Sequence, residues 1–157
     1  MISGRFRTGS GEYADGNLVY LGADSRPKAL RMLVDGGKQG AVLGDVNGDG
    51  YDDIVTSDVL VYGDKAGPGE VGRALRVGAG LVETDDFWGS AVHLADLDGD
   101  HRADLAVGTR HANGGRGAVW TLPGSAVGPT TTGAAFFHAT SVGVSGTSAQ
   151  LGSLFGQ

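Results

Sequence analysis

Two stretches of this chain repeat one pattern: AVLGDVNGDGYDDIV at residues 41–55 and VHLADLDGDHRADLA at residues 92–106. Their first aspartates, Asp45 and Asp96, are 51 residues apart. A repeat of this length is typical of a propeller blade of four short strands and is longer than most helical hairpins. The repeat therefore predicts two copies of one supersecondary unit.

Short runs rich in β-branched residues follow each aspartate stretch and predict strands. These strands are residues 53–57, 59–62 and 74–77 in the first unit, and 104–107, 118–121 and 134–138 in the second. No window of a dozen residues has apolar side chains at helical spacing, and the 30 glycines oppose helix formation. We therefore predict an all-β fold, with a glycine-rich loop at residues 111–117.

Partial units are predicted at both ends of the chain. Residues 16–22 resemble residues 117–124, and residues 151–157 resemble the approach to Trp88. The predicted organisation is the tail of a preceding blade at 1–37, blades at 38–85 and 86–149, and the start of a further blade at 150–157. This is an incomplete ring of about two full blades, and its open faces predict self-association.

Composition excludes several classes of protein. The net charge of −6, from 12 basic and 18 acidic side chains, is opposite to that of a typical nucleic-acid-binding protein. The absence of cysteine excludes a disulfide scaffold and a thiolate zinc site. No apolar run approaches the roughly 20 residues of a membrane span, and the first residues lack the apolar segment of a signal peptide. We expect no nucleic-acid partner and no membrane span.

Oxygen-bearing side chains alternate along the first aspartate stretch. Counted from Asp45 as position 1, they are Asn47 at position 3, Asp49 at position 5 and Asp53 at position 9. Glycine at position 6 permits a sharp turn, and a backbone carbonyl at position 7 adds a further oxygen. Calcium prefers six to eight such hard oxygen ligands, whereas zinc prefers nitrogen or sulfur and magnesium usually keeps several waters. The pattern predicts a calcium site.

An EF-hand loop is the main alternative for the same residues, but two features oppose it. An EF-hand needs a bidentate acid at position 12, where these two stretches have Thr56 and Val107. It also needs flanking helices, whereas both stretches continue directly into strand-like sequence. A loop that ends on an acid at position 9 and enters a strand is a different design.

The chain resembles the FG-GAP repeat of integrin α-subunit β-propellers and their bacterial relatives. The resemblance is carried by Phe155-Gly156 and the variant Trp88-Gly89 at unit starts, and by both aspartate loops. It implies Ca²⁺ ligands in each loop, the position-7 residue acting through its carbonyl. These are Asp45, Asn47, Asp49, Tyr51 and Asp53 in the first loop, and Asp96, Asp98, Asp100, Arg102 and Asp104 in the second.

The second loop departs from the family pattern at position 6, where His101 replaces glycine. A side chain in a left-handed turn costs about 1 kcal/mol. The second loop has four carboxylates and the first has three, so charge favours the second site and turn geometry favours the first. The sequence alone does not rank the two sites.

The expected function is that of a calcium-binding, non-catalytic module that binds a protein or a glycan, in adhesion, as the resemblance implies. The resemblance also implies an extracellular or cell-surface location. No serine lies in a Gly-x-Ser-x-Gly elbow, and the four histidines show no catalytic pattern, so we predict no enzyme activity. The alternative is an accessory propeller portion of a larger secreted hydrolase or lyase.

Overall fold

The computed structural model describes residues 2–7, 13–21, 29–34, 41–56, 59–66, 73–74, 88–146 and 148–155. Within these ranges the strands form three separate antiparallel sheets, each in simple sequential order. The described part of the chain is therefore dominated by β-structure, as its glycine content and short β-branched runs predict. No described helix has the length and apolar composition that a membrane span requires.

The first sheet has three strands, namely β1 (Ile2–Arg7), β2 (Tyr13–Leu21) and β3 (Ala29–Val34). The central strand β2 pairs with β1 from Ile2–Leu18 to Arg7–Tyr13 and with β3 on its other edge. It contains most of the strand predicted at residues 16–22. Assignment of this sheet to the tail of a preceding blade stays a prediction.

The second sheet has four strands, β4 (Val42–Gly44), β5 (Asp53–Val55), β6 (Val59–Val61) and β7 (Arg73–Ala74). Thr56 closes the predicted tight hairpin between β5 and β6. Its N–H donates to the Val59 carbonyl at 2.9 Å, and its hydroxyl oxygen accepts from the Val59 N–H at 3.1 Å. The outer strand was predicted at residues 74–77, of which residues 75–77 lie outside the described residues.

The third sheet repeats this order with longer strands, β8 (Trp88–Ala95), β9 (Asp104–Thr109), β10 (Ala118–Leu122) and β11 (Ala135–His138). Between β9 and β10 the predicted glycine-rich loop closes into a tight turn at Ala112–Gly115 (α1), which is not a regular α-helix. Asn113 and Gly114 take left-handed backbone angles there, with φ of 55° and 69°. A 3₁₀ turn (Ala139–Val142) follows β11.

The main hydrophobic core lies between the second and third sheets. Alternate residues of β5, β6, β9 and β10 supply it, because successive side chains of a strand point to opposite faces. Its fully buried members are Val46, Val55, Leu60, Leu105, Val107 and Leu122. On the opposite face of the second sheet, Ile54 and Val61 form a smaller buried cluster. Packing of both sheets against one core places their first loops side by side.

The C-terminal segment, residues 148–155, lies across the third sheet. Gly117 and Leu151 form a parallel bridge, and the Leu151 N–H donates to the Arg116 carbonyl at 2.9 Å. The Phe155 ring lies 6.3 Å from the His93 ring of β8. The assignment of this segment to the start of a further blade stays a prediction.

Candidate metal centre

Each aspartate stretch forms the loop between the first two strands of its sheet. Residues 45–52 connect β4 to β5, and residues 96–103 connect β8 to β9. The strands on either side of a loop pair directly, as in Gly44–Asp53 and Ala95–Asp104. The ends of each loop are therefore held by a sheet, and the predicted ligands between them are confined to a tight turn.

In the first loop the carboxylate of Asp45 organises the backbone. Its Oδ1 accepts hydrogen bonds from the N–H groups of Gly48 at 2.7 Å and Asp49 at 3.1 Å, and its Oδ2 accepts from Gly50 at 2.8 Å. The Asn47 amide oxygen accepts from the Asp49 N–H at 3.0 Å. These hydrogen bonds fold the backbone around the side-chain oxygen atoms of Asp45 and Asn47. The alternate spacing of oxygen-bearing residues follows from this tight turn.

The second loop reproduces the same bonds with different residues. Asp96 accepts from the N–H groups of Gly99 at 2.7 Å and His101 at 3.1 Å. His101 has a φ of 69°, and the equivalent Gly50 has a φ of 87°. The backbone at position 6 is therefore left-handed in both loops. The second loop has a histidine in this conformation, where the first loop has a glycine. Its ring is 95% exposed and lies 3.9 Å from Asp96.

The aspartates at position 9 are buried and bridge each loop to its sheet. Asp53 accepts from the N–H of Val46 at 3.0 Å and from that of Gly63 at 2.8 Å. Asp104 accepts from the N–H of Leu97 at 2.7 Å and from that of Gly124 at 2.8 Å. Both carboxylates thus have a structural role that the sequence pattern did not reveal.

Burial raises the pKa of the Asp53 carboxyl, against the opposing effect of the N–H groups of Gly63 and Val46. The neighbouring carboxylates of Asp49 and Asp45 raise this pKa further. A bound cation would favour the charged form of Asp53. The first loop therefore places the negative charges of Asp45 and Asp49 beside the buried carboxyl of Asp53.

The second loop brings three acidic side chains close together. One carboxylate oxygen from each of Asp96, Asp98 and Asp104 lies within 4.8 Å of the others. The fourth predicted acidic ligand, Asp100, instead binds Arg102, through the backbone N–H at 2.8 Å and Nη1 at 2.6 Å. The Arg102 N–H, with its guanidinium as a weaker contribution, lowers the pKa of Asp100.

The donor set of these loops suits calcium. It consists of carboxylate and amide oxygens, and the buried position-9 aspartates are already fixed by backbone hydrogen bonds. Hard oxygen donors in a loop of this kind match the preference of Ca²⁺ for several oxygens in flexible geometry. The Tyr51 and Arg102 carbonyl oxygens stay predicted ligands.

The two loops contact each other, which sequence reasoning did not anticipate. The Ala103 N–H of the second loop donates to the Asp45 carbonyl of the first at 2.8 Å. The second loop also packs against Gly124, where an added Cβ would lie 2.8 Å from Arg102 Cβ and 3.0 Å from the Val46 carbonyl oxygen. The sequence did contain one signal for this close packing, namely a glycine shortly after the third strand of each unit. These glycines are Gly63 and Gly124.

Comparison with known families agrees with this geometry. Residues 88–122 match the family model described as FG-GAP repeat. This segment contains strands β8, β9 and β10 and the whole second loop. A comparison with curated proteins gives no match. The chain therefore carries an FG-GAP repeat at residues 88–122.

Proposed function

We propose that this protein is a calcium-stabilised β-propeller module of the FG-GAP type. The observation that supports the proposal best is the repeated loop geometry, in which position 1 organises the turn and a buried position-9 aspartate anchors it. The close carboxylates of Asp96, Asp98 and Asp104 add a local negative charge that a divalent cation would offset. The two loops lie side by side, and each connects the first two strands of its sheet.

Calcium at 100 times its dissociation constant is expected to raise the free energy of unfolding by about 2.7 kcal/mol for one site. The measurement is thermal or urea unfolding with calcium and with chelator. The double substitution Asp45→Ala with Asp96→Ala should abolish the increase, and Asn47→Ala with Asp98→Ala should weaken it while removing fewer loop hydrogen bonds. Asp52→Ala is the matched control, because Asp52 is an exposed acid of the first loop outside the ligand pattern. Equal stability with calcium and with chelator would contradict the proposal.

We further propose that the module binds a protein or a glycan partner at an extracellular or cell-surface location. Two large apolar side chains beside the predicted ligands support a contact surface, Tyr51 at 42% exposure and Leu97 at 56%. Contiguous exposed apolar surface is typical of interaction sites, and the two loops that carry these side chains contact each other through the Ala103 N–H and the Asp45 carbonyl. Calcium would then fix the loops that present these side chains.

We also propose that the module is not catalytic. His138 caps the 3₁₀ turn, its Nδ1 accepting the Ser141 N–H at 3.2 Å and lying 2.7 Å from the Thr140 hydroxyl. That nitrogen is committed to the cap rather than to activation of a serine. No turnover of generic ester, phosphoester or glycoside substrates is expected from the purified chain. Reproducible turnover that disappears in His101→Ala or His138→Ala would overturn this prediction.

A further inference from the structure

Position 7 distinguishes the two loops more sharply than any other position. It is Tyr51 in the first loop and Arg102 in the second. Arg102 holds the carboxylate of Asp100 from two sides, by its N–H at 2.8 Å and by Nη1 at 2.6 Å. The equivalent Asp49 also accepts the N–H of position 7, but its second oxygen accepts from the neutral Asn47 amide at 2.9 Å. Only in the second loop does a side-chain cation hold the position-5 carboxylate.

The stem of Arg102 lies against the first loop, while its ion pair with Asp100 is partly exposed. A Cβ on Gly48 of the first loop would lie 3.0 Å from Arg102 Nε and 3.3 Å from its Cγ. Nε is buried there and has no hydrogen-bond partner among the described residues. The side chain is thus seated between the two loops, and Nη1 is the atom that reaches a carboxylate.

This contact has a consequence for metal binding. The carboxylates of Asp96, Asp98 and Asp104 lie within 4.8 Å of one another, and Asp100 is outside this group. A metal ion that binds Asp100 has to share the carboxylate with the guanidinium, because Nη1 donates a charge-assisted hydrogen bond to Oδ2. The guanidinium would also stay near the bound ion, because its stem is held against Gly48.

We propose that Arg102 is an internal competitor for Asp100 and makes the second loop the weaker of the two calcium sites. The inference rests on the proposed calcium function and concerns the order of the two affinities. Charge count alone would give the opposite order, because the second loop has one carboxylate more than the first. The intramolecular cation offsets that additional carboxylate.

The experiment exchanges the two position-7 residues in the full chain. Arg102→Tyr should tighten calcium binding at the second loop by about twofold to fivefold, the range for an exposed ion pair, and Tyr51→Arg should weaken it at the first loop. The amide resonances of Gly50 and His101 report the loops separately, since each N–H donates to the position-1 aspartate of its own loop. Both are followed by NMR at buffered free calcium concentrations.

The proposal is overturned if the second loop of the wild-type chain binds calcium as tightly as the first, or if Arg102→Tyr leaves the second-loop affinity unchanged or lowers it. Arg102→Gln, which keeps part of the stem over Gly48, gives the same test should tyrosine prevent folding. Tyr51→Arg tests the argument independently, and an unchanged first-loop affinity counts against it. If neither amide of the wild-type chain responds to calcium, the calcium function itself fails. This result differs from one in which both loops bind calcium with affinities that do not depend on position 7, which would overturn only the role of Arg102.

Discussion

Replacement of Asp104 by alanine is expected to lower the free energy of unfolding by about 2–4 kcal/mol in calcium-free buffer. The carboxylate is only 3% exposed and accepts the N–H groups of Leu97 and Gly124. Without it, a part-buried donor from the loop and a buried donor from the turn after β10 lose their acceptor. Each unsatisfied buried donor costs about 1–3 kcal/mol, less where water reaches it.

Asp98→Ala is the matched control for this prediction. Asp98 is an exposed predicted ligand of the same loop and accepts one local hydrogen bond, from the Asp100 N–H at 3.1 Å. Its loss should weaken calcium binding and change the calcium-free stability by less than about 1 kcal/mol. Urea unfolding in the presence of a chelator separates the two effects. Equal losses in the two variants would mean that the hydrogen bonds from Leu97 and Gly124 to Asp104 do not stabilise the fold.

The sequence predicted three of the four strands in each of the second and third sheets, and the signals of the inner strands are local. Alternating apolar residues after each aspartate loop identify β5, β6, β9 and β10, and the 51-residue offset shows that they repeat. The tight hairpin at Thr56 also followed from spacing alone. The glycine-rich loop predicted after β9 closes into a tight turn, in which Asn113 and Gly114 adopt left-handed angles.

The roles of Asp104 and Arg102 were not predictable, because they depend on contacts between distant segments. The partner of Asp104 in the turn after β10, Gly124, is 20 residues away. In the second sheet the corresponding separation, from Asp53 to Gly63, is 10 residues, so no fixed spacing identifies the bond. Arg102 was singled out for its carbonyl oxygen, whereas its guanidinium is positioned by Gly48 of the neighbouring loop.

Gly108→Ala is expected to detach residues 148–155 from the third sheet and to cost about 3 kcal/mol, the upper part of the range for overpacking a tight site. A Cβ on Gly108 would overlap the carbonyl oxygen of Gly152 and lie 2.7 Å from its carbonyl carbon. Both partners are backbone, so neither can yield by rotating a side chain. Release of the segment would break the bond from the Leu151 N–H to the Arg116 carbonyl. Hydrogen exchange at the Leu151 amide should accelerate strongly.

Gly146→Ala is the control, because an added Cβ there meets no atom within 4 Å. It should leave both stability and exchange at Leu151 unchanged. Gly152→Ala provides a further test, since its Cβ would approach the Gly108 Cα to 2.8 Å and its φ is 79°. If both substitutions act by releasing the same segment, the double variant should cost little more than the more damaging single one. Full additivity, or normal protection at Leu151 in Gly108→Ala, would mean that strand β9 moves instead and the segment stays in place.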